Sequence, residues 1–229
     1  MVRAVLLDAM GTLVELEHPA PRLREQLRDR AGIDMSEAEA QAALVEEIAY
    51  YRLHHCEGHD QASLWQLRRA CAEALRAALP PAGRDLPVAT VRNALLGALS
   101  FRPYPEVPTT LQRLRAAGVR RVVVSNWDVS LHAVLRRTGL ARLVSGTITS
   151  AELGASKPSP ALFRHALTIA GVPARDAVMV GNSVDEDVEG GRASGVAPVL
   201  LVRDGAAVPE GLDGVPVIRS LSELPALVA

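Results

Sequence analysis

The sequence predicts an α/β protein: a Rossmann-like parallel sheet with helices on both faces and an inserted, all-helical segment after the first strand. Two observations favour this fold class. Short apolar stretches of strand length alternate with longer helical patterns, as in βαβ units. Between about residues 17 and 100 that alternation stops, and helical patterns follow one another with no convincing strand.

Six stretches rich in β-branched residues or leucine are bounded by turn or polar residues, which predicts strands. They are Ala4–Leu7, Arg121–Val124, Gly146–Thr149, Ala177–Val180, Pro198–Val202 and Val215–Ile218. Helical patterns lie between them at about 106–117, 129–138, 159–171 and 187–194. The first of these ends at Gly118, a residue type common at helix C-termini.

The interrupting segment contains four further helical patterns, at about 19–31, 36–55, 60–79 and 88–99. Gly32, Gly58 and the pair Pro80-Pro81 separate them, because these residues end or interrupt helices. We therefore expect a core domain of residues 1–16 and 101–229 and a helical domain of residues 17–100. Trp65 is expected in the core of the helical domain.

Composition excludes several classes of function. The chain has 229 residues, of which 48% are hydrophobic and 22% charged, and no apolar run approaches the roughly 18 residues of a membrane-spanning helix. Its 25 basic and 26 acidic residues give a net charge of −1, so nothing favours nucleic acid or an anionic membrane as partner. The two cysteines predict no disulfide framework. The apolar run Val2–Leu7 is too short for a secretory signal, so a cytoplasmic location is expected.

The single lysine is informative because the chain otherwise uses arginine for positive charge. Of the 25 basic residues, 24 are arginine, and the one lysine is Lys157. A compact ammonium on a flexible stem can occupy a space that a planar guanidinium cannot. The pattern indicates that Lys157 stands where an ammonium is required.

Polar residues follow four of the predicted strands. Asp8 follows the first strand, Ser125-Asn126 the second, Lys157 the third, and an acidic segment from Gly181 to Asp187 the fourth. Because the carboxyl ends of parallel strands lie at one edge of a sheet, we expect these groups to converge there.

These residues resemble the four motifs of the haloacid dehalogenase (HAD) superfamily, over Leu7 to Gly195. The motifs stand here as Asp8-Ala9-Met10-Gly11-Thr12, Ser125-Asn126, Lys157-Pro158 and Gly181-Asn182-Ser183-x-x-x-Asp187. Within that superfamily the chain is most similar to subfamily I, the REG-2-like and dehalogenase-like hydrolases, and residues 17–100 look like its C1 helical cap.

The resemblance implies hydrolysis of a small phosphorylated metabolite through an aspartyl-phosphate on Asp8. Lys157 and Ser125 would hold the transferring oxygens. The resemblance further implies that Thr12 and Asn126 position Asp8 and the phosphoryl group. It implies Mg²⁺ as cofactor, with ligands from Asp8, the Met10 carbonyl, Asp187 and Asn182.

The helical segment contains a second polar cluster, from Tyr50 to His59, that includes Arg52. Arg52 is a candidate to close on a small anionic substrate, and Tyr50 and Tyr51 are expected to pack. A zinc site among these histidines is disfavoured, since adjacent histidines on a helix point about 100° apart.

Two positions depart from the phosphatase pattern. Met10 stands where such phosphatases place a second aspartate, the acid that protonates the leaving oxygen. Asn182 replaces the first acid of the fourth motif, which removes one negative charge but retains a carbonyl oxygen.

Two alternatives therefore stay open. The 2-haloacid dehalogenases of the superfamily also lack the second aspartate and need no metal, but they carry an asparagine where this chain has Val184. The acidic run Asp185-Glu186-Asp187 would also repel a carboxylate substrate unless a cation is present. The other alternative is a catalytically weakened, ligand-binding protein. The phosphonatases of the superfamily use a lysine of the cap to form a Schiff base with the substrate. The helical segment of this chain contains no lysine, so that activity is excluded.

Overall fold

The computed structural model describes residues 1–203 and 205–228. The chain divides into two compact units: Met1–Glu15 with Pro103–Ala229, and Leu16–Arg102. The first unit, called here the α/β unit, contains a sheet covered by helices. The second, called here the helical unit, is formed mainly by helices.

Eight strands are described. They are β1 Ala4–Leu7, β2 Val14–Leu16, β3 Phe101–Pro103, β4 Arg120–Ser125, β5 Gly146–Thr149, β6 Ala177–Gly181, β7 Ala197–Leu201 and β8 Val217–Ile218. Six of them form a sheet in the order β5-β4-β1-β6-β7-β8, and every pairing in it is parallel. The predicted fold class, a Rossmann-like parallel sheet, is confirmed. The short strands β2 and β3, which the sequence did not predict, form a separate two-stranded sheet.

The α-helices of the helical unit are α1 Pro19–Ala31, α2 Glu37–His54, α3 Gln61–Ala78, α4 Pro81–Arg84 and α5 Val88–Ala98. Local chemistry explains where two of them begin. Ser36 and Glu39 form a capping box before α2, and Asp60 and Ser63 form one before α3. The core of this unit is built from the apolar faces of its helices, and Tyr50 and Tyr51 pack against it as predicted.

The α-helices of the α/β unit are α6 Val107–Ala116, α7 Leu131–Arg137, α8 Ser150–Leu153, α9 Pro160–Ala170, α10 Gly190–Ala193 and α11 Leu224–Val228. One face of the sheet packs against α9, whose Leu162 and Phe163 are fully buried with Leu6 and Val124. Helix α6 also contacts β4, but its buried side chains lie outside that cluster, so it covers the opposite face. The central strands β1 and β6 are therefore buried along their whole length, which explains their continuous apolar sequences.

The helix predicted at 187–194 and the placement of Trp65 differ from the sequence-based expectation. The helix predicted at 187–194 begins earlier, as a π-helical segment at Val184–Glu189 capped by the Ser183 side chain, and continues as α10. Trp65 was expected in the core, and this was wrong: its side chain is exposed and lies under the guanidinium of Arg92. No helix in the described ranges combines the length and apolar character that crossing a membrane requires.

Candidate active site

The parallel register brings the ends of three strands together. Leu7, the last residue of β1, is paired with Val123 of β4 on one side and with Val180 of β6 on the other. Asp8 therefore leaves the sheet between the ends of β4 and β6, and its backbone N–H donates to the Val180 carbonyl over 2.9 Å. This places the Asp8 carboxyl at the carboxyl edge of the sheet, where parallel sheets carry ligand sites.

Lys157 joins two carboxylates at this edge. Its Nζ lies 2.7 Å from Asp8 Oδ1 and 2.6 Å from Asp187 Oδ1, and all three side chains are buried. We call these three residues the buried triad. They come from three separate parts of the chain, and the structure brings together three of the four strand-end groups that the sequence predicted to converge.

The triad carries two negative charges and one positive charge in a region with little access to water. Burial works against the ammonium, but the charges of Asp8 and Asp187 outweigh it and raise the pKa of Lys157. Burial also raises the pKa of Asp187, an effect that Asp8 increases and Lys157 opposes. Because one negative charge is left uncompensated, the site favours an additional cation.

Ser125, the fourth group, orients the Asp8 carboxylate. Its hydroxyl donates to Asp8 Oδ1 over 3.1 Å, so Oδ1 accepts hydrogen bonds from both Ser125 and Lys157. Asp8 Oδ2 receives no hydrogen bond from any residue the structure describes. The arrangement leaves Oδ2 as the oxygen able to act as a nucleophile or to bind a cation.

Asn126 contacts the backbone of Lys157. Its Oδ1 accepts from the Lys157 N–H over 2.7 Å, and its Nδ2 donates to the Lys157 carbonyl over 3.0 Å. The sequence predicted that Asn126 would position Asp8 or the phosphoryl group. The structure uses both polar atoms of the amide to hold the lysine.

A tight loop follows Asp8. The Ala9 carbonyl accepts from the N–H groups of Thr12, Leu13 and Val14, over 3.3, 2.8 and 3.0 Å. Gly11 has a φ of +77°, which favours glycine, and a Cβ there would lie 2.5 Å from Asn182 Nδ2. The loop therefore needs glycine for its conformation and for the side chain packed against it.

Thr12 lies in the same loop. Its side chain is fully buried, and its hydroxyl has no hydrogen-bond partner among the described residues. A buried hydroxyl without a partner costs free energy, so this atom has the capacity to accept or donate a bond when a ligand is present.

The position of Asp187 depends on the end of β6. A Cβ at Gly181 would clash with Asp187 Oδ2, so only glycine leaves room for this carboxylate. The Ser183 N–H donates to the same oxygen over 3.0 Å. The fourth motif thus places one carboxylate beside Lys157, whereas Asp185 is exposed and Glu186 is half-buried.

The oxygens around Asp8 fit a magnesium ion in number and type. Asp8 Oδ2 has no donor, and of the carbonyls of residues 9–14 only that of Met10 receives no hydrogen bond from the described part of the chain. Asp187 supplies a second carboxylate, and the Asn182 amide lies against the same loop. Magnesium needs only one or two carboxylates when neutral oxygens and water complete its shell. Among these ligands, only Asp8 and Asp187 are acidic side chains. No group of three or more His, Cys, Asp or Glu side chains that could hold a metal ion occurs among the described residues.

Arg52 belongs to the helical unit, where it is exposed near the end of α2 and its carbonyl accepts from His55 Nδ1. Its predicted role in binding an anion stays a prediction. Trp127, the residue after Asn126, is buried, and its backbone N–H donates to Ser150 Oγ over 3.0 Å.

Sequence reasoning missed three residues next to the Asp8 loop. Arg203 donates to the carbonyls of Gly11 and Thr12, and Glu106 and Tyr104 contact its guanidinium. The only sequence signal for Arg203 is its position just after the predicted strand 198–202. One arginine among 24 does not stand out.

The chain resembles known proteins over most of its length. A family model described as haloacid dehalogenase-like hydrolase matches residues 2–195. The chain is 31% identical to a glyceraldehyde 3-phosphate phosphatase from Methanopyrus kandleri, over 89% of this chain and 85% of the relative. It is 30% identical to a phosphoserine phosphatase from Thermus thermophilus, over 95% of each chain.

A 2-haloacid dehalogenase from Pseudomonas syringae pv. tomato has a similar structure, with a TM-score of 0.69 and 25% identity over 100% of this chain and 98% of that one. The proteins similar to this chain thus include both phosphatases and a dehalogenase. The family match, the relatives and the fold together show that this chain belongs to the haloacid dehalogenase-like hydrolases.

Proposed function

We propose that the protein is a Mg²⁺-dependent phosphatase that hydrolyses a small phosphorylated metabolite through an aspartyl-phosphate on Asp8. The observation that carries this proposal is the buried triad. Two buried carboxylates and one ammonium leave a negative charge that favours a cation, and Asp8 Oδ2 has no donor. The relatives at 30% and 31% identity that span most of the chain are named as phosphatases of small phosphorylated compounds.

In the first step, Asp8 Oδ2 attacks phosphorus while the bond from phosphorus to the leaving oxygen breaks. Lys157 and Ser125 hold Asp8 Oδ1, so the carboxylate stays oriented during the attack. The Lys157 ammonium also lowers the repulsion between Asp8 and the anionic phosphoryl group. The leaving group departs with the bonding electron pair and takes a proton from water, unless it is already a stable anion.

In the second step, water attacks the phosphorus of the aspartyl-phosphate. The bond from phosphorus to Asp8 Oδ2 breaks, inorganic phosphate leaves, and the Asp8 carboxylate is regenerated. Asn126 keeps the backbone of Lys157 fixed through both steps, because it binds the lysine N–H and carbonyl.

Bound Mg²⁺ would supply charge neutralisation for the phosphoryl oxygens. Asp8, the Met10 carbonyl, Asp187 and Asn182 are the residues that would hold it. The helical unit would act as the cap that selects the substrate, with Arg52 as its anion-binding side chain. The reaction would take place in the cytoplasm.

The second candidate function is dehalogenation of a 2-haloacid by the same Asp8. Met10 favours it, since a halide leaves without a proton and needs no acid at this position. The uncompensated charge of the triad argues against it, because a 2-haloacid brings a carboxylate toward a site that is already negative.

A substrate panel tests the proposal. Purified protein is assayed with phosphate esters and 2-haloacids, each with Mg²⁺ and with a chelator. We expect phosphate release that needs Mg²⁺ and disappears in Asp8→Asn, with circular dichroism showing that the variant is folded. Halide release in the presence of chelator would instead establish the dehalogenase, and no turnover of any compound would favour a ligand-binding protein.

A further inference from the structure

Four N–H groups of the loop after Asp8, those of residues 11–14, donate to carbonyls within the loop, whereas two consecutive carbonyls of the loop accept no such bond. Three N–H groups of the loop converge on the Ala9 carbonyl, and the Gly11 N–H donates to the Val14 carbonyl over 2.8 Å. The carbonyls of Gly11 and Thr12 accept none of these bonds. Since buried carbonyls need donors, an outside group has to supply them.

Arg203 supplies both donors. Its Nε lies 3.0 Å from the Gly11 carbonyl oxygen, and its Nη2 lies 2.8 Å from that of Thr12. Two consecutive carbonyls are thus bound by one planar group, which fixes the orientation of both peptide planes. A lysine ammonium has no comparable fork, so this contact is specific for arginine.

The guanidinium is itself held on two sides. Nη1 lies 2.8 Å from Glu106 Oε1, and the carbon of the guanidinium lies 3.6 Å from the centre of the Tyr104 ring. The Tyr104 N–H donates to the Leu13 carbonyl over 3.2 Å, so the same segment also touches the loop. The Arg203 side chain is only 12% exposed, so these contacts are largely shielded from water.

We infer that Arg203 is a positioning residue for the nucleophile loop: its two hydrogen bonds, braced by Glu106 and Tyr104, hold the loop that carries Asp8 and the Met10 carbonyl. With the Gly11 and Thr12 carbonyls taken by Arg203 and the Leu13 carbonyl by Tyr104, the Met10 carbonyl is left for a ligand. The effect on turnover rests on the proposed function, whereas the effect on the loop does not.

The test uses the full-length protein with Arg203→Met, which retains an apolar stem, and Arg203→Lys, which retains the charge. Arg219→Met is the matched control, since Arg219 also donates to a backbone carbonyl, that of Ala206, but is exposed. Amide hydrogen exchange of the peptide covering residues 9–14 is measured without substrate. We expect exchange in both Arg203 variants to be about tenfold faster than in wild type, and exchange in Arg219→Met to be unchanged.

Turnover is measured on the best substrate of the panel. We expect kcat to fall by about tenfold or more in both Arg203 variants with KM changed by less than about threefold, because the loop aligns the nucleophile rather than binding the substrate. Glu106→Gln removes the negative charge beside Nη1 and should show a smaller change in the same direction. This variant also covers the case in which Arg203→Met does not fold.

Unchanged exchange in residues 9–14 would overturn the inference, as would full recovery of kcat by Arg203→Lys. If the wild-type protein hydrolyses nothing in the panel, the proposed function fails, but the exchange measurement still decides the role of Arg203. A fall in melting temperature with loop exchange and kcat both near wild type would show a purely structural arginine and would also overturn it.

Discussion

At the scale of single residues, Lys157 determines the charge balance of the site. Its ammonium is fully buried and bridges two carboxylates over 2.7 and 2.6 Å. Removing it would leave two buried negative charges next to each other, which is far more costly than losing a surface ion pair. The structure thus gives a physical reason why the chain has a lysine here.

We therefore expect Lys157→Arg to be nearly as damaging as Lys157→Ala. The guanidinium is larger than the ammonium and cannot lie between Asp8 Oδ1 and Asp187 Oδ1 at these distances. Both variants should lose about 10²-fold or more in kcat on the best phosphate ester. Steady-state kinetics measures this, with Arg164→Lys, an exposed position on α9, as the control for an Arg–Lys exchange. An arginine variant with most of the wild-type kcat would contradict the prediction.

Met10 determines which leaving groups the site can expel. Its side chain is 37% exposed and offers no proton, so a phosphatase of this sequence should prefer acyl or aryl phosphates over alkyl phosphates. Met10→Asp should raise hydrolysis of alkyl phosphates selectively, up to the factor of about 10²–10⁴ typical of general acid catalysis. The measurement is kcat/KM for wild type and variant across phosphate esters whose leaving groups have graded pKa values. A flat dependence in the wild type would show that another group supplies the proton.

Much of the site could be predicted because strand ends in a parallel sheet converge. Asp8, Ser125 and Lys157 were placed together by that rule, and the structure confirms the convergence. The partners of Asn126 could not be predicted, since nothing local reveals that its amide reaches the backbone of a residue 31 positions away. Arg203 was missed for the same reason, because its contacts join segments about 190 positions apart.

At the scale of elements, most helices and strands follow from patterns within about ten residues. The six predicted strands are present, and the central ones, β1 and β6, have the continuous apolar sequences of buried parallel strands. The missed strands β2 and β3 contain only three residues each, too few for a periodicity to be visible. Trp65 was misplaced because large aromatic side chains usually lie in cores, whereas this one covers the helix surface beside Arg92.

Helix α2 contains a carboxyl group in an unusual place. Glu47 is only 5% exposed, on the face of α2 that includes Ala40, Ala43 and Leu44. Burial raises the pKa of Glu47 from 4.5 to about 7, although a hydrogen bond with Cys71 of α3 acts in the opposite direction. The folded state therefore binds this proton more tightly than the unfolded state.

We expect this group to make the helical unit less stable as pH rises from about 4.5 to 7. In that range the folded state holds more protons than the unfolded state, so the free energy of unfolding falls with pH and levels off above the folded pKa. Glu47→Gln should remove this contribution and stabilise the unit at pH 8 by up to about 3 kcal/mol, with little gain at pH 4.5. Denaturant unfolding at the two pH values measures this, with the exposed neighbour Glu46→Gln as control. A Glu47→Gln variant less stable than wild type at pH 8 would show that the ionised carboxylate is stabilising.

At the scale of the whole molecule, the residues around Asp8 described above all lie in one of the two units. The triad, Ser125, Asn126 and Arg203 all belong to the α/β unit, although they span residues 8–203. Only the fold of that unit brings them together. A ligand of the triad should therefore stabilise the α/β unit through mass action, because the unfolded chain has no such site.

Mg²⁺ alone, with no substrate, provides this test. At a concentration tenfold above its Kd, the ion should stabilise the α/β unit by about 1.4 kcal/mol, which corresponds to about 3–6 °C in melting temperature. Calorimetry combined with amide hydrogen exchange should show slower exchange in peptides around Asp8 and Asp187 and no change in peptides of Leu16–Arg102. Asp187→Asn should lose the effect, because it removes the uncompensated buried charge that favours a cation, whereas Asp185→Asn, at an exposed neighbouring position, should keep it. Equal stabilisation of wild type and Asp187→Asn would place the ion elsewhere, and no response in the wild type would favour metal-independent chemistry at Asp8.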